Sequence, residues 1–180
     1  MHDLPDHYRA TIRSLLRFAL VMTIVGLLSG VLFQESAKKL DLETLSPGLH
    51  LAAGRRLALV HGHVLVSAVL IPIAMAVALV LARAVGGRQL SGRPLSWLLR
   101  GYLPGVSAML ALMLIKAYHL LLSVRGGTHD LAQIDEAFSF GAPLMRHVVY
   151  GGVHVAMAAG LGVFVVALWR SLKDTDASAG

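Results

Sequence analysis

The chain contains no cysteine. That absence excludes disulfides, thiolate catalysis, iron–sulfur clusters, Cys-bound zinc and a haem attached through thioether links. Charge is also scarce. Charged residues make up 14% of the 180, with only 10 acids against 16 lysines and arginines, where a soluble domain carries about 25%. Glu35 is the one acid close to an apolar segment, which leaves little to serve a hydrolase as general acid or base. The ten-residue alternation of a membrane barrel is missing as well. An open sheet in lipid would leave its backbone groups unpaired, so strands are set aside. The first apolar segment is not followed by a small-x-small cleavage site, since Gln34, Glu35, Ser36, Ala37 and Lys38 come next. It is therefore expected to remain as a permanent span rather than a signal peptide. No internal repeat or low-complexity stretch stands out.

What the chain does have is apolar residues, 56% of the total, grouped in blocks of membrane length. Leu15 to Phe33 holds one charge, Arg17, and Val64 to Ala82 holds none. Gly101 to Ile115 holds none and resumes after Lys116 through Val124, and Val148 to Trp169 has only His154 titrating near neutrality. A hydrocarbon core of about 30 Å needs roughly 20 helical residues, which each block nearly or fully supplies. The expected fold is all-α, a four-helix transmembrane bundle running up-down-up-down. Its spans lie near 12–33, 57–83, 98–123 and 147–170, and the 180 residues form a single integral membrane domain.

Basic residues orient the bundle. Arg9, Arg13, Arg17, Arg83, Arg88, Arg93, Arg100, Arg170 and Lys173 fall on one side. Lys38, Lys39, Arg55, Arg56, Arg125 and Arg146 fall on the other. The bias places both termini in the cytoplasm, as expected for a multi-pass protein of the bacterial inner membrane. A net charge of +6 suits an anionic membrane surface, and because the basic residues flank apolar spans, no nucleic-acid partner is expected. The first connection carries a turn signal at Ser46-Pro47-Gly48. The third, Ser123 to Arg146, is long for a hairpin. There Asp130 can cap a short amphipathic helix bearing Leu131, Ile134 and Phe138 on one side, expected to lie as a lid on the outer face.

Packing signals recur. Gly26-Leu-Leu-Ser-Gly30 and Gly101-Tyr-Leu-Pro-Gly105 have the small-xxx-small spacing that lets helix backbones approach, and Gly151, Gly152, Gly160 and Gly162 dot the last span. Pro72 should kink the second span.

The polar residues converge on the predicted outer half. His61 and His63 open span two; Lys116, Tyr118 and His119 close span three; Arg146, His147, Tyr150 and His154 open span four. At a rise of 1.5 Å per residue, His63, His119 and His154 each lie about 8–10 Å in from the end of their span. Ionisable residues at such depth are candidates for function. His61 and His63 point about 200° apart on a helix and are not expected to share one ion. His147, Tyr150, Gly151 and His154 form one stripe. The plain alternatives are that His119 is a hydrogen-bonded core residue, that His50, His129 and His147 are solvated, and that Lys116 snorkels or pairs with Glu35 or a loop carboxylate.

Taken together, Ile24-Val-Gly-Leu-Leu-Ser-Gly-Val-Leu-Phe33, Leu59-Val-His-Gly-His-Val-Leu65 and Gly151-Gly-Val-His154 resemble a family of small bacterial four-span membrane proteins over residues 15 to 170. Lys116 occupies a basic position in span three where that pattern leads one to expect arginine. A second, shorter similarity links Val60-His61-Gly62 to the start of haem–copper oxidase subunit I, where an early His-Gly of span two supplies an axial haem ligand. That resemblance implies His61 as axial ligand. It does not imply oxygen reduction, because the later spans and copper-site histidines of that subunit have no counterpart here.

Three functions follow as expectations. The first is a b-type haem held between spans two and four by His61 and His154, with His119 or His63 as substitutes. Lys116, Arg125 and Arg146 would lie near the propionates, with Tyr150 on the same stripe as His154, and the haem would serve electron transfer with quinol or a redox partner protein, or redox sensing. The second is a zinc or copper site of three histidines, including His61 and His154. The third is a non-enzymatic accessory or assembly subunit.

Overall fold

A computed structural model describes residues 4–38, 47–138 and 143–173; the side chains of Pro47, Pro143, Met145 and Arg146 and the remaining residues lie outside that description. The described residues are mostly helical, with no strand among them. The helices are α1 (Asp6–Ala37), α2 (Pro47–His63), α3 (Ile71–Ala84), α4 (Gly92–Trp97), α5 (Leu103–Arg125), α6 (Leu131–Phe138) and α7 (Pro143–Lys173). Two segments of wider turns, π1 (Val64–Leu70) and π2 (Leu98–Tyr102), join α2 to α3 and α4 to α5 without a break. Four continuous helical runs are long and apolar enough to cross a membrane: Asp6–Ala37, Gly48–Ala84, Gly92–Arg125 and His147–Lys173. Each apolar block of the sequence lies inside a longer helix. The turn expected at Ser46-Pro47-Gly48 is, from Pro47 on, the first turn of α2, where a proline needs no backbone donor. Ser46 lies outside the described residues.

Both π segments have the same cause. Pro72 and Pro104 lack an N–H, and the proline ring crowds the carbonyl four residues back. The ladder widens ahead of each. Ile71 N donates to Val66 O and Leu103 N to Leu98 O, each reaching five residues back instead of four. At π1 this leaves the Ser67 carbonyl without a backbone donor, because Ile71 is used and Pro72 has none. The Tyr102 hydroxyl, in π2, donates to that carbonyl at 2.6 Å. Tyr102 is 1% exposed, and the bond runs from this buried ring to a half-buried Ser67. The proline kink expected in span two is realised as this tyrosine-capped widening.

The helices pack as two pairs. α1 lies along α2, π1 and α3, while α7 lies along α4, π2 and α5; α2 and π1 against α5 join the pairs. Leu15, Val64, Ala68, Leu79, Leu98, Val106, Leu120 and Phe164 fill the core. The apolar windows of α1 and α7 are only 17% and 11% buried, against 33% and 39% for the two middle runs. Outer helices of a membrane bundle expose apolar surface in this way, because lipid covers it.

Glycine sets both pairings. A Cβ on Gly160 of α7 would fall 2.5 Å from Tyr102 N and 2.9 Å from Trp97 O, so the two backbones touch there. Gly101 and Gly105 meet Ala156, Met157 and Gly160 from the other side, which is the use expected of their spacing. At the ends where α1 begins and α3 stops, the Tyr8 hydroxyl accepts from Leu90 N at 2.7 Å, and Arg88 N donates to Ser171 O at 3.0 Å. Gly86, at φ 87°, takes the left-handed conformation that ends α3.

Candidate functional site

His61, in the last turn of α2, is half-buried against α1. Its Nδ1–H donates to the Gly26 carbonyl at 2.8 Å, an oxygen that also accepts from the Ser29 hydroxyl at 2.8 Å. A Cβ on Gly30 would stand 3.0 Å from the imidazole ring. The Gly26-xxx-Gly30 motif therefore seats a histidine as well as a helix, and any side chain at position 30 would press on the ring.

His63 turns elsewhere, as the angular separation requires. Its Nδ1–H donates to Leu59 O on its own helix at 2.8 Å. The ring lines an open groove of about 470 Å³ along the outside of α2 and π1, with Arg55, Ala58, Leu59, Gly62, Val66 and Ser67. His154 is similar: exposed on α7, it donates from Nδ1 to Tyr150 O at 2.7 Å. A carbonyl can only accept, so each of these bonds puts the proton on Nδ1. In a neutral imidazole the lone pair is then on Nε2, the nitrogen left to bind a metal. His61, His63 and His154 share this arrangement. His119 has the reverse, with Nε2 donating to Ile134 O at 3.1 Å.

His119 belongs to a polar knot under α6. Asp130 caps that helix by accepting from Ala132 N at 2.8 Å, as the sequence leads one to expect, and Ile134 is buried. Asp135 Oδ1 receives Arg56 of α2 at 3.2 Å and Lys116 of α5 at 3.4 Å. The Phe138 ring lies 5.3 Å from the His119 ring and 5.8 Å from the Lys116 ammonium. Nearby, Ser36 Oγ of α1 meets the Tyr118 hydroxyl of α5 at 3.5 Å. Thus α6 is strapped across the ends of α2 and α5, and the loop-carboxylate partner expected for Lys116 is Asp135. Glu35 instead pairs with Lys38.

Burial pushes the Asp135 carboxyl up, but the Lys116 and Arg56 charges and their hydrogen bonds outweigh it and hold the group below its ordinary 3.8. A carboxyl depressed on folding stabilises above its unfolded value and loses that contribution as pH falls through the folded one. The docking of α6 should therefore hold from neutral pH to about 3.8 and loosen below it. Hydrogen exchange of residues 131–138 reads this directly. Protection that is equal in acid and at neutral pH, after correction for intrinsic rates, would refute the role given to Asp135.

The expected convergence of histidines is not found. The four candidates are each held by a separate partner: His61 by α1, His63 on the outer groove of α2, His119 beneath α6, His154 on the exposed face of α7. Among the described residues no group of three His, Cys, Asp or Glu could hold a metal ion. Two facts account for this. The spacing of His61 and His63 sends them to different faces, and α5 packs against both α2 and α7. Tyr150 donates to Leu112 O of α5 at 3.3 Å, while His154, one turn on, is exposed and bonds its own helix. Of the expected cations, Lys116 is taken by Asp135, Arg125 is exposed at the end of α5, and the Arg146 side chain lies outside the described residues. Sequence reasoning missed Asp135, Arg56 and Tyr102. For Tyr102 a signal exists, since Pro72 orphans a carbonyl and a buried hydroxyl must answer it.

No protein-family model, curated protein or solved structure matches this chain.

Proposed function

We propose that the protein binds a b-type haem in the outer half of the bacterial inner membrane, crossing it four times up-down-up-down with both termini cytoplasmic, and serves electron transfer or redox sensing. One observation carries this reading. Three imidazoles within the apolar spans are held through Nδ1–H to backbone carbonyls, with Nε2 left as a basic nitrogen. Backbone-oriented imidazole of this kind is the usual ligand to haem iron. Each such histidine fits one axial position. When bound, haem supplies one-electron iron chemistry; the protein holds the iron, sets its surroundings and keeps water away.

The visible spectrum of the purified, detergent-solubilised protein from haem-replete cells tests the reading. A Soret band with a pyridine haemochrome of b type is expected. Colourless protein with stoichiometric zinc or copper would move the function to a metal site, although the described residues contain no three-ligand cluster for one. That same lack of a cluster favours, as second reading, an accessory subunit whose histidines serve packing and a partner; colourless, metal-free protein would leave it standing. The topology has its own test. Single cysteines at Ser46 and Ser178 should label from opposite sides of the membrane, and labelling from one side would refute an odd number of crossings between them.

A further inference from the structure

Charge divides the two ends of the bundle unequally. The end where α1 begins and α7 stops is drawn together by the bonds of Tyr8 with Leu90 and of Arg88 with Ser171. Nine lysines and arginines stand there, with Asp6 as the one acid among the described residues. At the opposite end five such cations meet four acids among the described residues. We propose that an anionic phospholipid docks at the basic end, its acyl chain in the groove between α4 and α7 and its phosphate on Arg170. This site is separate from the haem reading and does not depend on it.

The groove has the order of chemistry that a lipid has. It holds about 460 Å³ and is lined by Pro94 of α4 and by a strip of α7 from Ala159 to Arg170. That strip is about 16 Å long by helical rise, close to half of a hydrocarbon core of about 30 Å. Nothing lies within 4 Å of where a Cβ on Gly162 would sit, so an acyl chain can lie directly against the helix there. Val163 and Val166 are exposed beside it, and the groove opens sideways to the bilayer, the direction from which a lipid enters. Arg170 ends the groove at headgroup level. Trp169 next to it is 63% exposed, with the Lys173 ammonium 5.5 Å over its ring, as aromatic and basic residues stand at a membrane interface. Among the described residues no carboxylate pairs with Arg170, whose guanidinium can donate two parallel bonds to a phosphate. The other groove of this end, about 570 Å³ between α1 and α3, places Asp6 beside Arg9 and Arg13, and a carboxylate there opposes a phosphate.

Tryptophan quenching by brominated lipid tests the site in the whole chain, reconstituted in phosphatidylcholine vesicles. The chain has two tryptophans, so Trp97→Phe leaves Trp169, beside Arg170, as the sole reporter. Brominated phosphatidylglycerol should quench it at a roughly fivefold lower mole fraction than brominated phosphatidylcholine, the size of one basic contact with an anionic surface. In that background Arg170→Gln should abolish the preference and Arg170→Lys should keep most of it. Gly162→Leu, which fills the floor of the groove, should lower the preference with the arginine still in place. Arg13→Gln, in the other groove, should leave it unchanged. Circular dichroism and size-exclusion profile check that each variant is folded. Equal quenching by the two lipids before any arginine is changed overturns the proposal. A loss for Arg13→Gln as large as for Arg170→Gln overturns it too, since the preference would then belong to the diffuse field of the basic end. Full preference in the Gly162→Leu protein overturns the acyl-chain seat.

Discussion

Replacing Gly160 by alanine should destabilise the folded protein by about 3 kcal/mol, at the upper end of what overpacking costs. The added methyl would fall 2.5 Å from Tyr102 N and 2.9 Å from Trp97 O. Both are backbone atoms in the tightest contact between the last span and its partner, so α7 itself would have to move. Gly26 makes an instructive contrast. Its nearest obstacle is Leu65 Cδ2 at 2.9 Å, the end of a flexible side chain, and alanine there should cost less. Gly162 meets nothing within 4 Å, and alanine should be neutral within about 0.5 kcal/mol or mildly stabilising. Unfolding by sodium dodecyl sulfate from mild detergent micelles would rank the three. Equal stability of the Gly160 and Gly162 variants would mean that α7 does not cross π2 as described.

Tyr102→Phe should cost about 1–2 kcal/mol, the penalty for a half-buried carbonyl stripped of its donor. The effect depends on a proline 30 positions away in sequence. Ser67 O needs the tyrosine because Ile71 N donates to Val66 O and Pro72 has no N–H to give. Pro72→Ala would supply that amide, and the carbonyl would then be satisfied within its own helix. In the Pro72→Ala background the phenylalanine substitution should lose about 1 kcal/mol or more of its cost, a coupling that a double-mutant cycle measures. Strict additivity would show that the hydroxyl and the proline do not answer one another.

How far residues alone reveal this protein differs sharply between fold and site. The four spans were legible because each is a block of apolar residues longer than a soluble helix needs. The glycine pairs were legible too, since Gly26 and Gly30 face span two and Gly101 and Gly105 face span four, as small-xxx-small spacing leads one to expect. The cap at Asp130 and the short helix with buried Ile134 followed from local chemistry. The assembly of the histidines did not. Depth along a helix can be counted from sequence, but the direction of a side chain depends on which helices are neighbours, and on turns that are wider than 3.6 residues. Residues 64 to 70 and 98 to 102 break the periodicity that face assignments rely on, and nothing local announces that α5 lies between α2 and α7. Asp135 was hidden for a related reason. One carboxylate in a connection is usually solvated, and only the folded chain shows Arg56 and Lys116 both arriving at it.

The knot beneath α6 also constrains the order in which the protein can be made. Arg56 precedes Asp135 by 79 residues, which at roughly 5–20 residues per second is about 4–16 s of synthesis. Lys116 follows Arg56 by 60 residues and waits only the last 19, about 1–4 s, for the carboxylate they share. The first three spans are therefore made before the carboxylate that these two cations share. Closure of that end waits for a helix of eight residues, made just before the final span. That order makes α6 the latch of this end, set late in biogenesis.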